Sequence, residues 1–373
     1  MDMTHDFDQR TPDTDQRPAG GLATLSKTDD LARLSRVEAE RVAALIRAGK
    51  KANTLAAYQS DLRQVAAWLL TDKPALAAQV VATDSQGRAL LCGPLPVEAV
   101  LAYIVAKQDT LAYPSLRRHI ASLSTFHGLN GAPNPCRHQQ VRDTLKGVRR
   151  KQQHEPKRAA AMRREHLQQV IWAAHYEHER GINPLAAKRD RALLLVGWAG
   201  ALRRSELAAL TWGQVENVSA GLQLTLRLAK TDDADEGQLV AIPLQPTDWL
   251  CPVRALAAWR SACMALGVDM TSDEGKALPV FCPIGQSDTP RLGRTLSGKS
   301  VGEIVKKRAA LAGFDWDQFT AHSLRAGLIT EAHEKGRSQV DIMATSRHKS
   351  PDVFANYVRP SDAMKRAASK GLL

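Results

Sequence analysis

GRTLSGKS, residues 293–300, spells G-x-x-x-x-G-K-[ST], the loop that cradles phosphate in nucleotide hydrolases. Its reading decides the fold. A working loop of this kind joins a buried strand to a helix, so that backbone N–H groups converge on phosphate within a parallel sheet. The helix half is here, since SVGEIVKKRAALAG (300–313) is amphipathic. The strand half is missing. QSDTPRL (286–292) is polar and carries Pro290, and the nearest apolar run, LPVFCPI (278–284), is broken by two prolines. No apolar strand ending in Asp offers a magnesium ligand, and strands do not alternate with helices along this half. The stretch therefore predicts a loop leading into a helix, with Ser297 or Ser300 as cap and Lys299 exposed towards phosphate.

Working outward, the 373 residues predict two or three domains. The longest apolar run, ALLLVGWAGAL (192–202), is too short to span a membrane, and no signal peptide is visible. A cytoplasmic protein is expected. The cysteines (92, 136, 251, 263, 282) are odd in number and lack C-x-x-C spacing, which argues against a disulfide framework and against zinc. Net charge is +12, and the first 30 residues hold seven acids against three bases, leaving +16 on residues 31–373. Such a surplus points to a polyanionic partner, above all nucleic acid.

Residues 1–30 are rich in Asp, Thr, Gly and Pro and predict a disordered acidic tail. From 31 to 150 the pattern reads as helical throughout, a compact all-helical domain of four or five helices. Its segments are LARLSRVEAERVAALIRAG (31–49), NTLAAYQSDLRQVAAWLL (53–70, Asn53 as N-cap), PVEAVLAYIVAK (96–107), PSLRRHIASLSTFHGL (114–129) and QQVRDTLKGVRR (139–150). RRKQQHEPKR (149–158) is basic and interrupted by Pro156, with the linker proper at 151–158. Arg117, Arg118, Arg149, Arg150, Lys151 and Lys299 are the candidate phosphate contacts. The second domain, 159–373, is mostly helical with one β-signal. LQLTLRL (222–228) alternates strictly, KTDDADEG (230–237) reads as a hairpin loop, and QLVAIPL (238–244) as the return strand.

Four short stretches carry chemistry. In ALRRSELAAL (201–210), Arg203 and Glu206 share one face of a helical turn, where a carboxylate can fix a guanidinium fork for work on phosphate. Lys230 stands where the strand meets the hairpin loop and could donate a proton, although, from this segment alone, the acids at 232, 233, 235 and 236 favour an exposed, balanced lysine. AHSLRAGLIT (321–330) places His322 and Arg325 three apart, a spacing that composition alone produces roughly 1.5 times in this chain. SRHKSPDVFANYVR (346–359) sets His348 and Tyr357 nine apart. Tyr58, Tyr103, Tyr113 and Tyr176 fall in helical or turn patterns and read as core or packing residues.

Each stretch alone is bland. In this order they resemble the signature of the tyrosine recombinase, or phage integrase, family: G-L-R-x-S-E-L, a hairpin Lys, H-x-x-R, G-H, and a Tyr nine residues on. The resemblance covers nearly the whole chain. It implies a mainly α fold with a small β-hairpin or sheet in the C-terminal domain: a helical core-binding domain at 31–150, then a mixed α/β catalytic domain. It puts Arg203, Lys230, His322, Arg325, His348 and Tyr357 on the catalytic positions and Glu206 on the supporting acid. The implied reaction cuts and rejoins DNA through a 3′-phosphotyrosyl link, with no metal, nucleotide or other cofactor. The implied partners are double-stranded DNA carrying specific recombination sites and a homotetramer on paired sites, with no membrane. Residues 361–373 would form a helix exchanged between subunits, and the short N-terminal tail suits a two-domain enzyme without an arm-binding domain. A DNA-relaxing type IB topoisomerase shares the chemistry, but the tail after Tyr357 argues against it; a DNA-binding protein with a decayed site is the other alternative. Three positions depart from the pattern. Ala201 replaces the Gly before Leu202, Arg204 makes an arginine pair, and Arg347 stands where Gly usually precedes the histidine. The last bears on turn geometry.

Overall fold

The computed structural model describes residues 52–152, 159–226, 237–348 and 350–351. The chain divides into two compact units, Met1–Pro156 and Lys157–Leu373.

In the first unit, α1 (Ala52–Asp72), α2 (Pro74–Val80), α3 (Val97–Lys107), α4 (Tyr113–Leu129) and α5 (Gln139–Gln152) surround one core. Leu116, Ile120, Leu123 and Phe126 recur at helical spacing on α4 and are buried against Leu62, Val65 and Leu69 of α1. Asn53 lies inside the described span of α1 rather than ahead of it. The unit is not helical throughout. β1 (Val81–Thr83) and β2 (Ala89–Leu91) pair antiparallel, Val81 opposite Leu91. The Asp84 carboxylate closes their turn by accepting from the amides of Gln86 and Arg88, and Gly87 takes the left-handed φ of 74°. Helix α5 also runs two residues into the expected linker. Gln152 holds it there, donating to the Gln108 and Leu111 carbonyls and accepting from Tyr113 N–H.

Asp61, fully buried on α1, ties this unit together. It accepts two bonds from the Arg118 fork (2.9 and 2.8 Å) and one from Ser122 Oγ (2.8 Å), and it lies 3.1 Å from His119 Nε2. Burial lowers the His119 pKa, so the ring is neutral at pH 7: Nε2–H faces Asp61, and Nδ1 accepts from Tyr103 O–H at 2.6 Å.

The second unit is built around α7 (Pro184–Ala199), whose residues 192–197 are all buried. It packs against α6 (Arg164–Glu179) and, further along the chain, α9 (Pro252–Ala265) and α12 (Ala321–Glu334). Between α7 and α9 come α8 (Arg204–Ala209) and an antiparallel sheet in the order β3 (Val215–Val218), β4 (Gly221–Leu226), β5 (Gln238–Pro243). The alternating leucines of β4 point into the core, with Leu222 paired to Ile242 and Leu224 to Val240. After α9 follow α10 (Asp273–Ala277), α11 (Gly298–Leu311), α12 and α13 (Gln339–Ser346).

GRTLSGKS is a capped helix start. Ser297 Oγ accepts from Ser300 N–H at 3.0 Å, Lys299 is exposed, and upstream isolated bridges, not a strand, join Thr211 to Pro279 and Ile284 to Pro290. Arg308 anchors the far half of α11. It is fully buried, donates to Asp190 of α7 at 2.7 Å and pairs with Glu177 of α6.

One glycine fixes the seat of α12. The chain at 160–162 runs alongside this helix, Met162 N–H bonding to Ser323 O and Trp198 Nε1–H to Met162 O. A Cβ at Gly327 would lie 1.9 Å from the Met162 carbonyl oxygen. Gly327→Ala is therefore expected to destabilise the chain by about 1–3 kcal/mol through overpacking, seen as a lower thermal midpoint. An unchanged midpoint would show that the contact yields.

Candidate active site

The turn after α7 brings the first arginine into place. Ala201 adopts φ 43°, and Arg203 becomes the N-cap of α8. Its backbone N–H donates to Glu206 Oε2 (2.8 Å) and its Nη1 to Oε1 (2.6 Å). The structure thus pairs Arg203, not Arg204, with Glu206. The Arg204 side chain lies instead against Gly298 at the start of α11.

Helix α12 supplies the next pair. Thr320 caps it, its side chain accepting from His322 N–H while Ser323 Oγ accepts from Thr320 N–H. Three-residue spacing turns His322 and Arg325 to the same side. Arg325 is buried, with Nη1 on the Ala201 carbonyl at 2.6 Å and Nη2 on His348 Nε2 at 3.0 Å. His348 follows α13, and its Nδ1 lies 2.8 Å from Ser346 Oγ. Segments more than a hundred residues apart in sequence thereby line one cleft of about 700 Å³, with Arg203, Arg204, Lys299, Lys306, His322, Arg325 and His348 in its walls.

The cleft is electropositive. Burial, then the charges of Arg325 and Arg203, push His348 down to about 4. It is neutral at pH 7, so Nε2 accepts from Arg325 and Nδ1–H donates to Ser346. Crowding by the surrounding protein, then Arg325 and Arg204, lower His322 as well, although its ring meets solvent in the cleft. Burial raises the Glu206 pKa, but the Arg203 N–H and the cations Arg347 and Arg203 outweigh it, and the carboxyl is held below its ordinary value. Lys306 at the rim pairs with Asp317 (3.6 Å) and lies over the Trp316 ring.

Of the other sequence-predicted residues, Lys230 and Tyr357 lie outside the described residues, as do the 1–30 tail, the 31–49 segment and the 361–373 helix. Arg117, Arg149 and Arg150 are exposed on α4 and α5; Lys151 pairs with Asp109, and the Arg118 fork is occupied by Asp61. Tyr176 is a surface residue holding Arg180, not a core one. One group with metal-ligand spacing occurs among the described residues, His175, His178 and Glu179, and none of the three lines the cleft. Sequence reasoning missed Lys306 and the part played by Arg347. The only signal for Arg347 was a large cation where the pattern has glycine.

Comparison with known proteins gives the same class. The model of the phage integrase family matches residues 160–364. Over 323 residues the chain is 29% identical to an integrase/recombinase xerD homolog of Selenomonas ruminantium, covering 85% of this chain and 84% of that protein. Two solved complexes of the XerH site-specific recombinase share the fold, each with a TM-score of 0.51 over 74% of this chain. The pre-cleavage complex is 14% identical with 69% of its chain covered, and the post-cleavage complex 12% with 72%. The chain belongs to the phage integrase family, the tyrosine recombinases, and is a DNA breaking and rejoining enzyme.

The pKa of His348 has a direct test. In the DNA-free protein its ring protons are expected to stay unshifted in NMR spectra from pH 8 down to 5.5 and to titrate near 4. The unfolded chain takes up this proton first, near the ordinary value of about 6.5. The associated stability is therefore present above about 6.5 and lost as pH falls towards 4. A midpoint near 6.5 would contradict the buried, cation-flanked setting.

Proposed function

We propose that the chain is a site-specific recombinase in which Tyr357 attacks a DNA phosphate held in this cleft. The observation that carries the reading is the convergence of Arg203, His322, Arg325 and His348 from three distant segments on one pocket. A phosphoryl transition state spreads negative charge over its oxygens, and fixed cationic donors stabilise it. Arg203 and Arg325 supply planar, permanently charged forks. When phosphate takes Arg325, neutral His348 carries its proton on Nε2 instead, with Nδ1 accepting from Ser346 Oγ–H, and donates a further hydrogen bond to a non-bridging oxygen.

The phenol, with an ordinary pKa near 10, must lose its proton during attack. A neutral His322 takes it or positions it. The bond from Tyr357 Oη to phosphorus forms, the bond to the 5′-oxygen breaks, and Lys230 protonates the departing oxygen. Rejoining runs these steps backwards. The phosphotyrosyl ester preserves the bond energy, so no nucleotide is consumed.

The partner is double-stranded DNA carrying specific recombination sites. Residues 31–150 serve as the core-binding domain, with Arg117, Arg149 and Arg150 as its phosphate contacts and Lys299 beside the reacting phosphate. A homotetramer on paired sites, joined by exchange of residues 361–373, is the assembly the resemblance implies. No described helix is long and apolar enough to cross a membrane, and we place the enzyme with DNA in the cytoplasm.

Tyr357→Phe tests the reading. On a nicked site that blocks rejoining, the parent chain should form a protein–DNA adduct that proteolysis maps to Tyr357. The variant should bind the site within about twofold yet form none. An adduct formed by the variant would overturn the assignment.

A further inference from the structure

Arg347 occupies a place where a turn alone would favour glycine. Its φ is 58°, in the left-handed region that disfavours a side chain, and its side chain is buried. The guanidinium joins three segments. Nη1 donates to the carbonyls of Gly200 (3.1 Å) and Thr345 (2.7 Å), and Nη2 to the Ala201 carbonyl (3.1 Å) and Glu206 Oε2 (2.7 Å). The Arg347 backbone carbonyl in turn accepts from Arg203 Nη2 at 3.1 Å. Ala201 is itself left-handed at φ 43°, and its carbonyl also receives Arg325 Nη1. Two non-glycine residues in strained turns are thus bonded to each other, and between them they touch Arg203, Glu206 and Arg325.

Resting on the reading of the cleft given above, we propose that Arg347 is a positioning residue for strand cleavage. It engages Glu206 Oε2, leaving Oε1 to hold the Arg203 fork, while its carbonyl fixes the other arm of that fork. Buried as it is, Arg347 acts through its neighbours rather than on DNA. Its charge also helps keep Glu206 ionised, and so able to hold Arg203, at lower pH.

A purely conformational role and a positioning role differ in what Arg347→Gly should do. Glycine suits the backbone, so a turn residue would be replaced without loss. The positioning role requires loss of rate despite a comfortable turn. The full chain carrying Arg347→Gly, Arg347→Gln or Arg347→Lys would be compared by thermal melting, affinity for a single site, and the pH profile of single-turnover cleavage. Arg347→Gly should bind within about twofold of the parent, yet cleave at least about tenfold more slowly at neutral pH. The acid limb of its profile should move to higher pH, because Glu206 has lost a cation that holds its carboxyl low. Arg347→Gln, which retains donors without charge, should shift the limb likewise. Arg347→Lys should keep the parent's limb and recover part of the rate.

Parental rate and profile in Arg347→Gly would overturn the proposal. So would a loss in Gly and Gln that follows only the folded fraction, with the acid limb unmoved. Arg203→Ala and Tyr357→Phe separate the two levels of inference. If both of these still cleave, the cleft itself has been misread and the proposal falls with it. If both are inactive while Arg347→Gly cleaves normally, only the role of Arg347 is refuted.

Discussion

One carboxylate, Glu206, is shared by two arginines, and the geometry of the cleft depends on that sharing. Oε1 takes the Arg203 side chain, and Oε2 takes both the Arg203 backbone N–H and the Arg347 fork. A partly buried acid between two cations remains ionised, and a guanidinium bonded on two sides has little rotational freedom left to lose when phosphate arrives. Such preorganisation is where catalysis by charge gains most, because the donors need not reorganise as the transition state forms. Before DNA binds, the neutral His348 is held between Arg325 and Ser346.

Elsewhere in the chain the same device does structural work. Asp61 gathers Arg118, Ser122 and His119 across α1 and α4. Asp190 gathers Arg189 and Arg308 across α7 and α11. In each case a buried acid is tolerated because several donors meet it, and removing it would leave those donors unsatisfied. The second cluster fixes one half of α11, while the other end presents Lys299 to the cleft. The stretch that spells a nucleotide-binding loop is, as its polar surroundings predict, a capped helix start at the edge of the cleft.

Much of this was legible in sequence wherever burial imposes a period. The leucines of β4 alternate because one face of the sheet is buried, and His322 with Arg325 shows the three-residue step of a helix face. Strands of three or four residues, such as β1, β2 and β3, are too short to display a period, and the first unit read as wholly helical for that reason. Long-range polar partners leave no local trace either. Arg118 looked like a phosphate contact, because Asp61, which occupies its fork, lies 57 residues earlier. Arg347 looked like a defect in a turn, because its partners Gly200, Ala201 and Glu206 lie 141 to 147 residues upstream.

The claim at the centre is that Arg203, fixed by Glu206 and Arg347, faces a non-bridging oxygen of the phosphate that is cut. The most direct measurement uses Arg203→Ala on DNA in which single linkages are replaced, one at a time, by neutral methylphosphonates. Removing the negative charge at the scissile linkage should restore cleavage to this variant by about tenfold or more, since the missing cation is no longer needed there. Restoration at a different linkage, or at none, would contradict the placement of Arg203 at the reacting phosphate.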